Sequence, residues 1–272
     1  MKENFSQPWK KIAETWKRFG PGARPSRQNI KDMEKFLLPY IKNKKVAHVL
    51  VMGATPEIRD MLASYKNIEV TLLDMNLEMM LAMTDLMKRK NKQENWMVGN
   101  WLTAPLQHNY FDAVLADFTK GNLPYDRQPL LYQHIAEMLK PGGALIERLY
   151  SRFKDTPVYD VEKLLKKYSR IKPTHRSAGE LWNYLVFMIH RDPVSPSDRP
   201  YQILEKYKDW PHMKEYKKLM YDLVPPGKMW HYGRGWEYEK RPVLKYFTIK
   251  DKRPDNTVYK AGAFVFELRP KK

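Results

Sequence analysis

Apolar residues recur in two rhythms along this chain. Between residues 46 and 150, short β-rich runs alternate with segments whose apolar positions repeat at helical spacing. Val46–Met52 (VAHVLVM), Glu69–Asp74 (EVTLLD), Glu94–Val98 (ENWMV), Phe111–Asp117 (FDAVLAD) and Ala144–Tyr150 (ALIERLY) read as strands. Pro56–Lys66, Leu77–Lys90 and Arg127–Lys140 read as helices between them, the last closed by Pro141-Gly142-Gly143. Strand and helix in alternation predict a parallel sheet covered on both faces. Residues 1–45 read as a helical lead-in: Trp9–Phe19, a Gly-Pro-Gly break, then Arg27–Tyr40 with Ser26 as its N-cap. After Tyr150, Val158–Ser169 and Gly179–His190 read as helices, and residues 191–242 are rich in prolines and aromatics without a clear strand. Val243–Lys250 and Ala263–Leu268 read as a closing strand pair.

The boundaries that follow are 1–45 for the lead-in or lid, 46–150 for the sheet core, 151–242 for an insertion, and 243–272 for the strand pair that completes the sheet. The turn Gly53-Ala54-Thr55 links the first strand to its helix. A glycine there permits close backbone approach to a ligand. Asp74 ends the second strand, where a carboxylate either holds a ribose diol or caps the next helix. The GxGxxG fingerprint of dinucleotide sites is missing.

The series VLVMGATPE, VTLLDMN, MVGNWLTAPL, FDAVLADF and LKPGGALIERLY resembles the motif series of class I S-adenosylmethionine-dependent methyltransferases. The resemblance covers 46–150, and 243–268 as their terminal strand pair. It implies a doubly wound α/β fold whose seven-stranded sheet has one antiparallel strand. It implies S-adenosyl-L-methionine as cofactor: Gly53, Ala54 and Thr55 around its methionine and ribose, Asp74 on the ribose hydroxyls, and Met75 on the adenine. Asn100 and Trp101 would reach the adenine edge, and Asp117 and Phe118 the reacting sulfonium. The loop lacks the family's second and third glycines, and Asn100 stands where an acid is usual. Arg24, in the lead-in, suits the cofactor carboxylate, an acidic substrate or a plain surface turn; Trp16 reads as packing.

Composition narrows the chemistry. Zero cysteines exclude cysteine nucleophiles, disulfides and thiolate metal sites. The seven histidines are scattered without HExxH spacing, and no metal site is expected. ADFTKG follows the fourth strand, so the Asn/Asp-Pro-Pro-Tyr/Phe tetrapeptide of amino-methylating enzymes is absent. No apolar run is long enough for a membrane span and the N-terminus lacks an apolar signal core, so the expectation is a cytoplasmic protein. Net charge is +18, with +8 on residues 1–45, −2 on 46–150 and +12 on 151–272. Those basic flanks suit solvated faces or a polyanion such as RNA. A small-molecule acceptor is the leading expectation, with RNA methylation or a non-catalytic cofactor-binding module as alternatives. The segment KMWHYGRGWEY (228–238) supplies the candidate acceptor residues Trp230, His231 and Arg234, with Arg148 at the end of the fifth strand. His231 is the candidate general base.

Overall fold

The computed structural model describes residues 15–19, 22–89, 94–153, 157–257 and 262–271. Strands β1 (Ala47–Met52), β2 (Ile68–Asp74), β3 (Glu94–Val98), β4 (Phe111–Asp117), β5 (Leu139–Tyr150), β8 (Phe247–Pro254) and β9 (Ala263–Pro270) form one sheet, ordered β3-β2-β1-β4-β5-β9-β8. β1 to β5 run parallel; β9 is antiparallel to both β5 and β8. A two-residue bridge joins β6 (Ser195–Pro196) to β7 (Met229–Trp230).

The central strands β1, β4 and β5 are buried on both faces because they alternate two apolar sets. Val49, Val51, Ala113 and Leu115 pack with Met33, Phe36 and Leu37 of the helix Arg27–Ile41 and with Ile58 and Leu62 of the helix Pro56–Leu62. Leu50, Met52, Val114 and Ala116 face Leu131, Tyr132 and Ile135 of the helix Gln128–Met138. The first core continues into the segment after β5, whose helices Val161–Tyr168, His175–Asn183, Arg199–Lys206 and Met213–Leu223 bury Leu165, Leu181, Leu204 and Met220 against it.

Ser26 caps the Arg27–Ile41 helix as expected, its Oγ accepting from the Asn29 amide while the Asn29 carboxamide accepts from Ser26 N. Trp9 lies outside the described residues; Trp16–Arg18 form a single 3₁₀ turn. Other boundaries move. Val243–Tyr246 belong to a helix, Trp236–Tyr246, because Trp236 stacks on Phe266 at 5.3 Å and Glu239 is drawn into the interior; the strand starts at Phe247. LKPGG opens β5, with Leu139 paired to Phe111 and Gly142 at φ +83°. The helix expected over Leu77–Lys90 ends at Asp85, where the Asp60 carboxylate accepts from the amides of Lys88 and Arg89. The helix from His175 stops at Asn183, and Tyr184–Met188 continue it as a fully buried π turn.

Candidate active site

Strand order reverses between β1 and β4, which opens a crevice at the carboxyl ends of the strands. Three loops are tied together there by one carbonyl. Leu73 O accepts from Gly53 N at 2.9 Å and from the Trp101 indole Nε1 at 3.0 Å. The ends of β1 and β2 and the loop after β3 therefore hold a fixed relation. Gly53 sits at φ +96°, which a side chain disfavours, with open space where its Cβ would lie.

Asp74 follows Leu73 directly. Its Oδ1 accepts from Asn76 N at 2.9 Å, and Asn76 in turn caps the next helix through Met79 N. Burial pushes the Asp74 carboxyl up to about 6, against the pull of the Asn76 and Met75 amides and the charge of Lys228. Lys228 comes from the segment after β5, and sequence reasoning passed over it although KMWHYGRGWEY begins with it. Met75 is 56% exposed beside the carboxylate. Asn100 turns its Oδ1 onto Leu102 N at 2.9 Å and is exposed. Ala54 is buried, and Thr55 reaches Asp117 Oδ2 at 3.4 Å.

At the end of β4, Asp117 Oδ1 accepts from Arg148 Nε at 2.6 Å. Phe118 takes φ +54°, its ring 4.0 Å from the Arg148 guanidinium and its carbonyl accepting from Tyr232 Oη at 2.9 Å. Arg148 is fully buried, and Nη1 also donates to the carbonyls of Gly22 and Arg24 and to Asp255 Oδ2. The expectation that Arg148 meets substrate is corrected: a guanidinium with those partners pins the lead-in to the sheet. Arg24 is likewise engaged. Its Nε and Nη2 donate to Glu57 Oε1 at 2.8 and 2.5 Å, and Trp16 Nε1 donates to the same carboxylate at 3.2 Å. Glu57, in the first turn after the glycine loop, was not singled out in the sequence, where an acid at a helix start is an ordinary residue.

The acceptor-side candidates lie on the loop beside β4. His231 N donates to Gly121 O at 2.8 Å, and the imidazole meets the Tyr125 ring edge-on at 5.6 Å. Burial and the Arg234 charge hold its pKa below the ordinary histidine value, with Asp126 opposing. Arg234 is exposed, stacked on Tyr125 at 4.4 Å and Tyr238 at 4.7 Å. Trp230 packs edge-on against Trp182 at 5.4 Å and Phe187 at 5.7 Å. Tyr232 lies flat over Gly121, where any Cβ would fall 1.8 Å from its ring. Under these residues sits a buried charge cluster absent from the sequence expectations: Lys120 pairs with Glu239, and Tyr132 Oη donates to Glu147 Oε2 at 2.9 Å.

The geometry agrees with comparison to known proteins. Residues 51–143, from the end of β1 through the opening of β5, match the family model for a methyltransferase domain. Over those residues the chain is similar to a methyltransferase domain, and its sheet has the class I methyltransferase fold. The CcbJ methyltransferase from Streptomyces caelestis aligns with a TM-score of 0.58 at 13% identity, over 98% of this chain and 99% of that one. The PH0226 protein from Pyrococcus horikoshii OT3 aligns at 0.54 and 14% identity, over 90% and 91%. The N-methyltransferase NodS from Bradyrhizobium japonicum WM9, solved with S-adenosyl-L-homocysteine, aligns at 0.51 and 10% identity, over 97% and 100%. At such identities the likeness is one of fold. No curated protein sequence matches the chain. Within the methyltransferase domain, the matched residues hold Gly53, Asp74, Asn100 and Asp117. His231, Trp230 and Arg234 lie beyond them.

Proposed function

We propose that this chain uses S-adenosyl-L-methionine to methylate an oxygen or nitrogen of a small-molecule acceptor. The observation that carries the reading is the Leu73 carbonyl knot, which sets the open glycine turn beside the Asp74 carboxylate. The donor set suits the cofactor. Asp74 is largely buried, yet its hydrogen-bond partners are backbone amides, so its remaining lone pairs suit the two hydroxyls of a ribose. Met75 offers an exposed apolar surface for the adenine, and Asn100, whose Oδ1 accepts from Leu102 N, would hold its carboxamide nitrogen toward the adenine edge. Gly53, Ala54 and Thr55 line the path toward Asp117 and Phe118. When bound, the cofactor supplies a methyl group on a positively charged sulfur.

The protein's own part is orientation and exclusion of water, which by themselves give effective molarities of ~10⁵ M or more. The lead-in supplies one wall: Arg148 fastens the carbonyls of residues 22–24, and Arg24 fastens Glu57 beside the glycine turn. The segment after β5 supplies the opposite wall, through Trp230, Tyr232 and Phe187. Burial holds the His231 pKa below the ordinary histidine value, which favours the neutral imidazole, the form that accepts a proton from a hydroxyl or ammonium acceptor. The buried aromatic wall favours a small planar or apolar body over a nucleic-acid backbone, which needs a charged open track.

Calorimetric titration with S-adenosyl-L-methionine tests the cofactor half. Binding that Asp74→Ala weakens at least tenfold supports it; no binding overturns it. Methyl-labelled cofactor incubated with separated metabolite and RNA fractions tests the other half. Label in metabolites supports the reading, and label confined to RNA overturns it.

A further inference from the structure

The two edges of the sheet are finished differently. β8, at one edge, reads Phe-Thr-Ile-Lys-Asp-Lys-Arg-Pro. Its register against β9 shifts between Ile249 and Asp251, Lys250 to Arg253 are all charged, and it ends in Pro254. Charges, bulges and proline are what keep an edge strand from pairing with another chain. β3, at the opposite edge, carries no such protection. It reads Glu-Asn-Trp-Met-Val, and its register with β2 is unbroken from Glu94 to Val98. Its one charge is neutralised inside the molecule: Arg59 donates to the two Glu94 oxygens at 2.9 and 2.6 Å, and both side chains are buried.

The same rim exposes large apolar side chains. Trp96 is 37% exposed and Val98 55%. Trp96 lies opposite Leu72 in the register, and Leu72 belongs to the core that holds Met79, Met80 and Met83. Trp96 and, two residues on, Val98 therefore project to the side of the sheet covered by the helix Leu77–Asp85. That helix adjoins β3, since Arg59 Nη2 donates to Thr84 Oγ1 at 2.7 Å as well as to Glu94. With its methionines turned inward, the helix leaves Leu77 and Leu81, one turn apart, 47% and 50% exposed. Trp96 is held in place: its Nε1 donates to Glu94 Oε2 at 2.8 Å, and the Arg59 guanidinium lies 5.6 Å from its ring. A fixed tryptophan among aliphatic side chains is the kind of anchor that carries binding energy at an interface.

Charge identifies the occupant. The chain carries +18, with +8 on residues 1–45 and +12 on 151–272, so two copies repel except through the middle of the sequence, which carries −2. Around the apolar rim, exposed Glu78 and Asp85 are balanced by exposed Lys88 and Arg89. The acids precede the bases along the chain, so a second copy running antiparallel sets acids against bases. An acidic protein is drawn instead to the basic flanks. We propose that two copies of this chain associate edge to edge through β3, antiparallel about a two-fold axis, burying Leu77, Leu81, Trp96 and Val98 of each between them. The contact is the same patch on both copies and closes on itself, and the protected β8 edges stop the sheet from growing further. The inference is independent of the cofactor and the acceptor.

The test is sedimentation velocity of the full chain across the micromolar range, in wild type, Val98→Lys, Leu81→Lys and Ile249→Lys. Wild type is expected to sediment at twice the mass of one chain. Val98→Lys and Leu81→Lys each raise the dissociation constant of the dimer roughly tenfold or more, because each would bury a charge at the contact. Ile249→Lys, on the protected edge, sediments as wild type. Circular dichroism shows which variants are folded, and if one of the two rim variants is not, the other decides. Amide hydrogen exchange supplies a readout on the backbone: the amides of Asn95–Val98 exchange more slowly above the dissociation constant than below it. A wild-type monomer at every concentration overturns the inference. So does a dimer that the folded rim variants leave intact, or one that Ile249→Lys breaks.

Discussion

The cleft between β1 and β4 and the segment that covers it are built in opposite ways. The cleft depends on backbone groups placed by neighbouring strands, with Gly53 N, Leu73 O and the Asp74 carboxylate within a few residues of strand ends. The cover depends on side chains that meet across long stretches of sequence. Lys120 finds Glu239, 119 residues away, and Tyr232 finds Phe118, 114 residues away. The first arrangement is fixed once the sheet forms. The second exists only if the whole chain is folded, so it is where a single substitution has the largest effect on stability.

The sharpest way to break that contrast is at the buried pair. Lys120→Met leaves Glu239 buried without its cation, although Arg234 N still donates to Oε1, and costs about 3–5 kcal/mol of stability. Replacing both partners, Lys120→Met with Glu239→Leu, recovers most of that loss, and denaturant titration of the three proteins measures it. Asp74→Asn in the cleft, which keeps an oxygen that accepts from Asn76 N, costs less stability than the single Lys120→Met change in the same titrations.

His231 separates chemistry from packing on the cover. If it accepts the acceptor's proton, His231→Gln lowers turnover roughly 10²–10⁴-fold with cofactor affinity unchanged. A fall in melting temperature with turnover preserved assigns the imidazole to packing on Tyr125 instead.

Within the cleft, the proposed role of Asp74 on the ribose hydroxyls predicts that Asp74→Ala lowers cofactor affinity at least tenfold, about 1.4 kcal/mol or more. The ionised carboxylate is the form that accepts both hydroxyls. With its pKa pushed up to about 6, affinity is full above that pH and falls as pH drops below it. Titration between pH 5 and 8 measures this, and Asp74→Asn flattens the profile.

Glu147 gives the most pH-specific effect. Burial pushes its carboxyl up to about 7, against Tyr132 and Lys120. Its folded pKa is above the unfolded value near 4.5, so its contribution is fully present below pH 4.5 and is lost as pH rises through 7. Glu147→Gln, which can still accept from Tyr132, therefore stabilises the protein by up to about 3 kcal/mol at pH 8 and changes little at pH 4. Thermal unfolding at the two pH values checks it.

Asp74 and Gly53 were legible in the sequence because each ends or follows a strand whose β-rich run marks its own boundary. Asn100 and Asp117 were legible for the same reason. Arg148 shows where that reading stops. Its place at the end of β5 suggested a cleft residue, but the fold brings Asp117, Asp255 and the carbonyls of residues 22–24 to its guanidinium. Arg24 looked available for a carboxylate and met Glu57 instead.

The sequence by itself determined the alternating strands and helices, the parallel sheet they predict, and the carboxylate at the end of β2; the one reversed strand was implied by the family resemblance. Periodicity and turn residues act over a few positions and need no distant partner. The tertiary structure alone decided that Val243–Tyr246 are helical, that Lys228 approaches Asp74, and that Lys120 is buried against Glu239. Each depends on burial and on charges from remote elements. A side chain's ion partner and its solvation are set by what the fold packs around it, and local pattern carries no record of either.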